Sequence, residues 1–197
     1  ITQPYPGIAQ HPTDPGFMLL GAQDIGTAKM SGGSWSLVLG GDGAFNAIAS
    51  SSTWWGSSQR LAIFGTTDGG TSLHGKTSGL GRAGSEFIAP FILDPNIAQV
   101  LIAGGGEDRG SGMEYLVYRS SNGGDSWSIN SQHLDHSITS LAFAPSSSST
   151  YYAGTYWGRV WRTTDTGTTN WTNLTKAPLP GWRTVRDIAV HPTNPDI

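Results

Sequence analysis

One pattern constrains this chain more than any other: a unit of apolar strand, Pro-bearing turn and second apolar run ending in Gly recurs along its length. The unit occurs at Gly7 to Gly21 (GIAQHPTDPGFMLLG), at Phe87 to Gly104 (FIAPFILDPNIAQVLIAG) and at Ile138 to Gly154 (ITSLAFAPSSSSTYYAG), and it begins again at Val185 to Ile197 (VRDIAVHPTNPDI). With a degenerate copy from Phe45 to Gly56, the turn positions Pro12, Ser50, Pro95, Pro145 and Pro192 stand 38, 45, 50 and 47 residues apart. A period of roughly 40 to 50 residues is the length of a propeller blade, a four-stranded unit that buries its faces only against its neighbours.

A second signature interleaves with the first, Ser/Thr-x-Asp-x-Gly-x-x-Trp, the Asp-box. Its clearest copy is Ser120 to Trp127 (SSNGGDSW), with Asn122 at the Asp position. Thr66 to Leu73 keeps Asp68 but has Leu at the aromatic place; Thr163 to Trp171 carries one extra residue; Ala28 to Trp35 keeps only the aromatic. Such a box is a hairpin turn in which Asp or Asn accepts turn amides, Gly takes the positive-φ position and the aromatic packs between sheets.

Together the two signatures predict an all-β chain: a β-propeller segment of four four-stranded blades, at about 1–40, 41–80, 81–135 and 136–181, and the first strand of a fifth at 182–197. In blade four the strands A to D fall near Ile138 to Ala144, Tyr151 to Thr155, Arg159 to Thr163 and Asn170 to Leu174. An array of this kind is expected to belong to a larger ring, completed by further sequence or another chain. Trp54 and Trp55 lie where strand B of blade two runs, so one is expected in the core and the other at an interface or the rim.

Composition agrees. Charged residues are only 13% and Gly is 28 of 197, while eleven of the fourteen acidic residues are Asp, a vocabulary of turns rather than of exposed helices. A net charge of -3 without a Lys/Arg cluster argues against nucleic acid as partner. With no Cys there is neither a disulfide nor a thiolate metal site, and no apolar run is long enough to span a bilayer. No cofactor or metal is expected: His133 and His136 flank Asp135 on an irregular loop, a spacing that fixes no ligand geometry.

Successive antiparallel strands alternate in direction, so B-to-C and D-to-A loops share one rim. The B-to-C loops bring Gln23 and Asp24, Ser57 to Arg60, Glu107 to Arg109, and Tyr156 with Trp157; the D-to-A loops bring Asp42, Gly79 to Arg82, Asp135 with His136, and Trp182 with Arg183. Aromatic faces cover the C–H patches of sugar rings and Asp or Arg bonds hydroxyls, so this mixture predicts a polysaccharide or oligosaccharide as ligand. Asp24 and Asp42 are the candidate catalytic carboxylates, though Asp42 between two glycines reads equally as a turn former. Gln23, Arg82, Asp108, Arg109, Tyr156, Trp157, Trp182 and Arg183 are the candidate substrate contacts.

The stretch from Pro6 to Met30 (PGIAQHPTDPGFMLLGAQDIGTAKM) resembles the opening blade of the xyloglucanase family of glycosidases, and the repeats more distantly resemble sortilin-type propellers. The first resemblance implies an extracellular inverting hydrolase of a plant-type β-glucan such as xyloglucan. Its general base would be Asp24, and its acid would come from a second propeller outside this chain, leaving the segment inactive alone. Ala22, Gln23 and Thr27 depart from the family's Arg-Thr-Asp-Ile-Gly-Gly segment. The sortilin-like resemblance implies a non-catalytic propeller for protein or glycan binding.

Overall fold

The computed structural model describes residues 3–4, 7–167 and 170–196, so Pro6, Thr168, Thr169 and Ile197 of the sequence patterns lie outside the described residues. Four antiparallel sheets follow one another, each a meander whose strand order is the chain order. The first holds β1 (Ala9–Gln10), β2 (Met18–Ala22), β3 (Gly26–Ser31) and β4 (Ser34–Leu39), and the second β5 (Asn46–Ile48), β6 (Trp54–Ser58), β7 (Ala62–Thr66) and β8 (His74–Gly75). The third holds β9 (Phe91–Leu93), β10 (Leu101–Asp108), β11 (Met113–Ser120) and β12 (Ser128–Ile129), and the fourth β13 (Ile138–Ala144), β14 (Ser147–Thr155), β15 (Val160–Thr163) and β16 (Thr172–Asn173). Among the described residues helix is limited to one 3-10 turn, Gln59–Leu61, and no helix is long and apolar enough to cross a membrane.

The sheets are arranged radially. Each first strand lies against the next one, β1 on β5, β5 on β9 and β9 on β13, which gathers them around a common axis. Both faces of the inner strands are buried, as the continuous apolar run of β10 requires. Leu101 and Ala103 join Trp55, Ile63 and Phe91 in one core, whereas Ile102 turns the other way to meet Ile138, Phe143 and Tyr151. Trp54 and Trp55 follow the same alternation and both are buried, one in the interface of the first two sheets and the other facing the third. Of the two alternatives for the second indole, interface or rim, the structure gives the interface, because a blade flanked on both sides has two interior faces. The architecture is that of a β-propeller.

The hairpin turns between the third and fourth strands of the second, third and fourth sheets share a hydrogen-bond pattern. Thr66 Oγ1 donates to Asp68 Oδ1 at 2.6 Å and accepts the Gly70 amide at 3.1 Å, while Asp68 Oδ1 also accepts the Ser72 amide at 2.9 Å. Ser120 with Asn122 repeats it, and Thr163 with Asp165 repeats the first bond, the Gly167 amide there donating to Asp165 Oδ1 instead. Two successive glycines at positive φ close the second and third turns, Gly69 with Gly70 and Gly123 with Gly124. In the third and fourth sheets the aromatic that follows wedges against the preceding sheet. Trp35 has no sheet on that side among the described residues and stays 49% exposed.

Beyond β16 the chain returns to the axis. The Val185 amide donates to the Thr155 carbonyl at 3.2 Å and Thr139 Oγ1 donates to the Val185 carbonyl at 2.7 Å, so this segment lies along the fourth sheet where the first strand of a fifth belongs. Among the described residues it forms no ladder.

Candidate functional site

Hydrogen bonds tie the loops of one rim into a chain that crosses all four sheets. The Asp24 amide, between β2 and β3, donates to Asp42 Oδ1 at 2.8 Å, and Gln59 Nε2, after β6, donates to Asp42 Oδ2 at 2.6 Å. The Arg60 amide donates to the Phe87 carbonyl at 2.8 Å, and Arg82 Nε to the Arg60 carbonyl at 2.7 Å. Ser137 Oγ then donates to Glu86, and the Tyr156 amide donates to the Ser137 carbonyl at 3.0 Å. Asp24 and Trp157 therefore stand on the same rim.

Backbone strain is concentrated there. Among the described residues five non-glycine residues have positive φ, and four of them, Asp24, Arg60, Leu61 and Trp182, lie on this rim. Left-handed backbone at side-chain-bearing residues costs energy that the fold must hold in place, and it clusters at binding and catalytic sites.

An aromatic row runs along the loops of the third and fourth sheets. The rings of Tyr115 and His136 stack at 4.8 Å, His136 lies 4.7 Å from Trp157, and Trp157 meets Trp182 edge to face at 5.6 Å. Trp157 is 43% and Trp182 76% exposed, and a cleft of about 230 Å³ opens beside them, with Arg159 and Asn173 in its wall. The ring of His136 is fixed by its own neighbour, since its Nδ1 accepts the Ser137 amide at 2.8 Å. Two further cavities adjoin. One of about 430 Å³ is lined by Arg60, Glu86, Phe87, Met113, Tyr115 and Ser137. The other, about 360 Å³, opens at the axis between Gln3, Phe45, Glu86, Phe87, Thr139 and Arg186.

The structure sorts the residues singled out from the sequence. Asp24 is exposed, with its backbone braced and its carboxylate free of any partner among the described residues, as a reacting group needs. Asp42 engages both oxygens in bracing neighbouring loops. Gln23 is anchored through its amide to the Gln3 carbonyl at 2.9 Å. Asp108 caps its own turn through the Gly110 amide at 2.9 Å, and Arg109 is held by Glu107 at 2.8 Å and Glu114 at 3.2 Å. Both belong to the tip of the β10–β11 hairpin and serve its geometry. Tyr118 sits beneath, donating to Glu107 Oε1 at 2.9 Å; burial first, and then that carboxylate, push its phenol far above the ordinary tyrosine range. Tyr156 lies 5.0 Å from His136, and the backbone of Arg183 packs on Gly158, where a Cβ would meet the Arg183 carbonyl at 2.5 Å.

Asp135 does not join His133 and His136 in a ligand set. It accepts from Trp161 Nε1 at 2.8 Å and faces Arg159 at 3.5 Å, while His133 Nδ1 accepts the Tyr115 amide at 3.1 Å. Among the described residues no group of three His, Asp or Glu side chains could hold a metal. Sequence reasoning missed Glu86 and Tyr115. Both become site residues through a long D-to-A loop and a hairpin of unequal length, which no repeat position marks; that Glu86 is one of only three Glu in the chain was the one available signal.

No family model and no curated protein sequence matches the chain. Solved structures do. The chain is similar to an ancestral GH74 enzyme, with TM-score 0.66 and 19% identity over 86% of this chain and 24% of that one. It is similar to the GH74 xyloglucanase from Xanthomonas campestris, with TM-score 0.59 and 15% identity over 85% of this chain and 29% of that one. It is also similar to YCF48 bound to D1 peptide, with TM-score 0.56 and 17% identity over 90% of this chain and 57% of that one. The chain thus spans about a quarter of the length of the two GH74 proteins. At these identities the likeness is one of fold, a β-propeller.

Proposed function

We propose that the rim carrying Asp24 and Trp157 is a polysaccharide-binding face of a glycoside-hydrolase-related, Asp-box propeller that works outside the cell, with xyloglucan as its reference substrate. The observation that carries this reading is the pair of exposed indoles Trp157 and Trp182, at the end of a row that runs through half-buried Tyr115 and His136, whose rings suit the apolar faces of sugars, on the same rim as the unpartnered carboxylate of Asp24. The likeness to GH74 structures supports it.

Hydrolysis with inversion needs a base that takes a proton from water as the water attacks the anomeric carbon, and an acid that protonates the departing oxygen, the two about 6.5–9.5 Å apart. Asp24 is our base. Asp42, with both oxygens engaged, is its brace, and the acid comes from outside these 197 residues. Titration calorimetry with xyloglucan oligosaccharides tests the reading: Trp157→Ala and Trp182→Ala should each weaken binding about tenfold or more, and Asp24→Asn should leave it intact. No binding by the unmodified chain would remove xyloglucan as the ligand. In a protein that also supplies the acid, undiminished turnover by Asp24→Asn would remove the base assignment.

One observation favours a second reading. The similar YCF48 structure holds a peptide, so a non-catalytic rim that recognises protein accounts for the same exposed aromatics. Binding of peptide in place of oligosaccharide in the same calorimeter would establish it.

A further inference from the structure

We infer that Arg60, in the wall of the 430 Å³ cavity, and Arg82, whose Nε is bonded to the Arg60 carbonyl, form an anion subsite at the cavity's edge, and that the glycan taken by this rim is acidic, a chain bearing uronate carboxylates. The inference rests on the polysaccharide reading above and narrows its ligand.

Charge pairing on the rim is uneven. Arg109 is neutralised by Glu107 and Glu114, and Arg159 faces Asp135. Arg60 and Arg82 form no ion pair among the described residues, yet the fold brings them together. Arg82 Nε donates to the Arg60 carbonyl at 2.7 Å, which seats one guanidinium beside the backbone of the other arginine.

The turn that presents Arg60 is strained and cannot relax. Arg60 has φ 51 and Leu61 φ 56, successive left-handed residues. The Leu61 side chain is fully buried in the core between the second and third sheets, and the Arg60 amide is bonded to the Phe87 carbonyl at 2.8 Å. Core packing on one side and a loop contact on the other fix Arg60 in the cavity wall. Backbone strain held in place at an exposed arginine marks a functional site. A carboxylate there would receive charge-assisted N–H bonds from the Arg60 guanidinium, with the positive charge of Arg82 adjoining.

The other walls fit a sugar rather than a bare ion. Phe87 and Tyr115 line the same cavity and offer aromatic surface, and Tyr115 begins the row that continues through His136 to Trp157. Glu86, the one carboxylate in this lining, accepts the Ser137 hydroxyl and has a second oxygen for a sugar hydroxyl.

Affinity measurements on polygalacturonate, xyloglucan and poly-glutamate test the inference. Polygalacturonate should bind at least about tenfold more tightly than xyloglucan at low ionic strength and weaken as salt is added. Arg60→Gln and Arg82→Gln should each cost about tenfold on polygalacturonate and several-fold less on xyloglucan. Arg60→Lys should keep most of the affinity, and unchanged melting temperatures would separate loss of charge from loss of fold. Equal binding of the two polysaccharides, indifferent to both Gln variants, would overturn the subsite while leaving the glycan reading standing. Poly-glutamate bound as tightly as polygalacturonate would overturn the sugar as occupant. Failure of both polysaccharides would overturn the subsite and the glycan reading together.

Discussion

Trp127 of the third sheet's turn donates its indole N–H to the Lys76 carbonyl of the second sheet at 2.8 Å, and Trp171 of the fourth repeats the contact on the Asn130 carbonyl of the third at 2.9 Å. The turn aromatic is thus the bolt between consecutive blades. Trp127 is only 6% exposed within the core of Trp55, Leu80 and Tyr118. Trp127→Ala should destabilise the chain by about 3–5 kcal/mol, as truncation of a buried aromatic does. Trp127→Phe keeps a ring but leaves the Lys76 carbonyl unpaired and should cost less. Thermal melts of the two variants decide it, and a negligible shift for Ala would show that the indole holds nothing together.

The brace between Asp24 and Asp42 depends on a glycine. A Cβ on Gly43 would lie 1.9 Å from the Gly26 carbonyl oxygen, a backbone atom with no freedom to retreat. Gly43→Ala should therefore push the loop after β4 off the β2–β3 turn and cost roughly 1–3 kcal/mol by overpacking. Asp24→Asn, at φ 61, should change stability by less than about 0.5 kcal/mol, because Asn tolerates left-handed backbone and replaces an exposed side chain. Denaturant unfolding of both variants checks the contrast; a stable Gly43→Ala protein would mean that the two loops are not closely packed.

The blades were legible because their signal is local and repeated: the Pro turns, the Ser/Thr–Asp pairs and the Gly-Gly steps each fix a hairpin by short-range hydrogen bonds. The rim was legible from the alternation of strand direction, which is why Trp157 and Asp24 could be placed on one side without coordinates. What escaped was pairing across loops. Nothing in the sequence says that Arg109 is occupied by two glutamates while Arg60 and Arg82 have none, since those partners are set by side-chain reach between loops of unequal length. Glu86 escaped for the same reason: its contact with Ser137 spans two sheets. Strain at Arg60 and Leu61 was hidden too, because neither residue is one that advertises positive φ.

The turn carboxylates should make the chain acid-sensitive. The Thr66 hydroxyl, then the Ser72 amide, hold Asp68 far below the ordinary carboxylate range, and the Thr163 hydroxyl and Asn170 amide lower Asp165 in the same direction. A carboxyl depressed in the folded state contributes stability above its unfolded value, near pH 4, and loses it as pH falls toward the folded value. Stability should therefore decline below about pH 4, and Asp68→Asn with Asp165→Asn should flatten that decline while lowering stability at pH 7. Melts from pH 7 down to pH 2 check the slope; an unchanged acid limb in the double variant would place the sensitivity elsewhere.

Thr166 occupies the position that Gly69 and Gly123 hold in the second and third turns, and it keeps the same left-handed backbone, φ 67 against 76 and 67. A β-branched residue there bears about 1–2 kcal/mol of strain that glycine does not. Replacing it with Gly adds freedom to the unfolded chain, an opposing cost of about 0.4–1 kcal/mol. Strain is the larger effect, and the Thr166 carbonyl, which accepts the Tyr151 hydroxyl, is backbone and survives the change. Thr166→Gly should thus stabilise the chain by up to about 1 kcal/mol, a gain visible as a raised melting temperature. The reverse experiment is sharper: Gly123→Thr imposes the same strain on a turn that now lacks it, and also brings a Cβ within 2.8 Å of Gln99 Oε1. It should lower the melting temperature, and opposite signs for the two substitutions are required if backbone handedness, rather than side-chain contact, sets the stability of these turns.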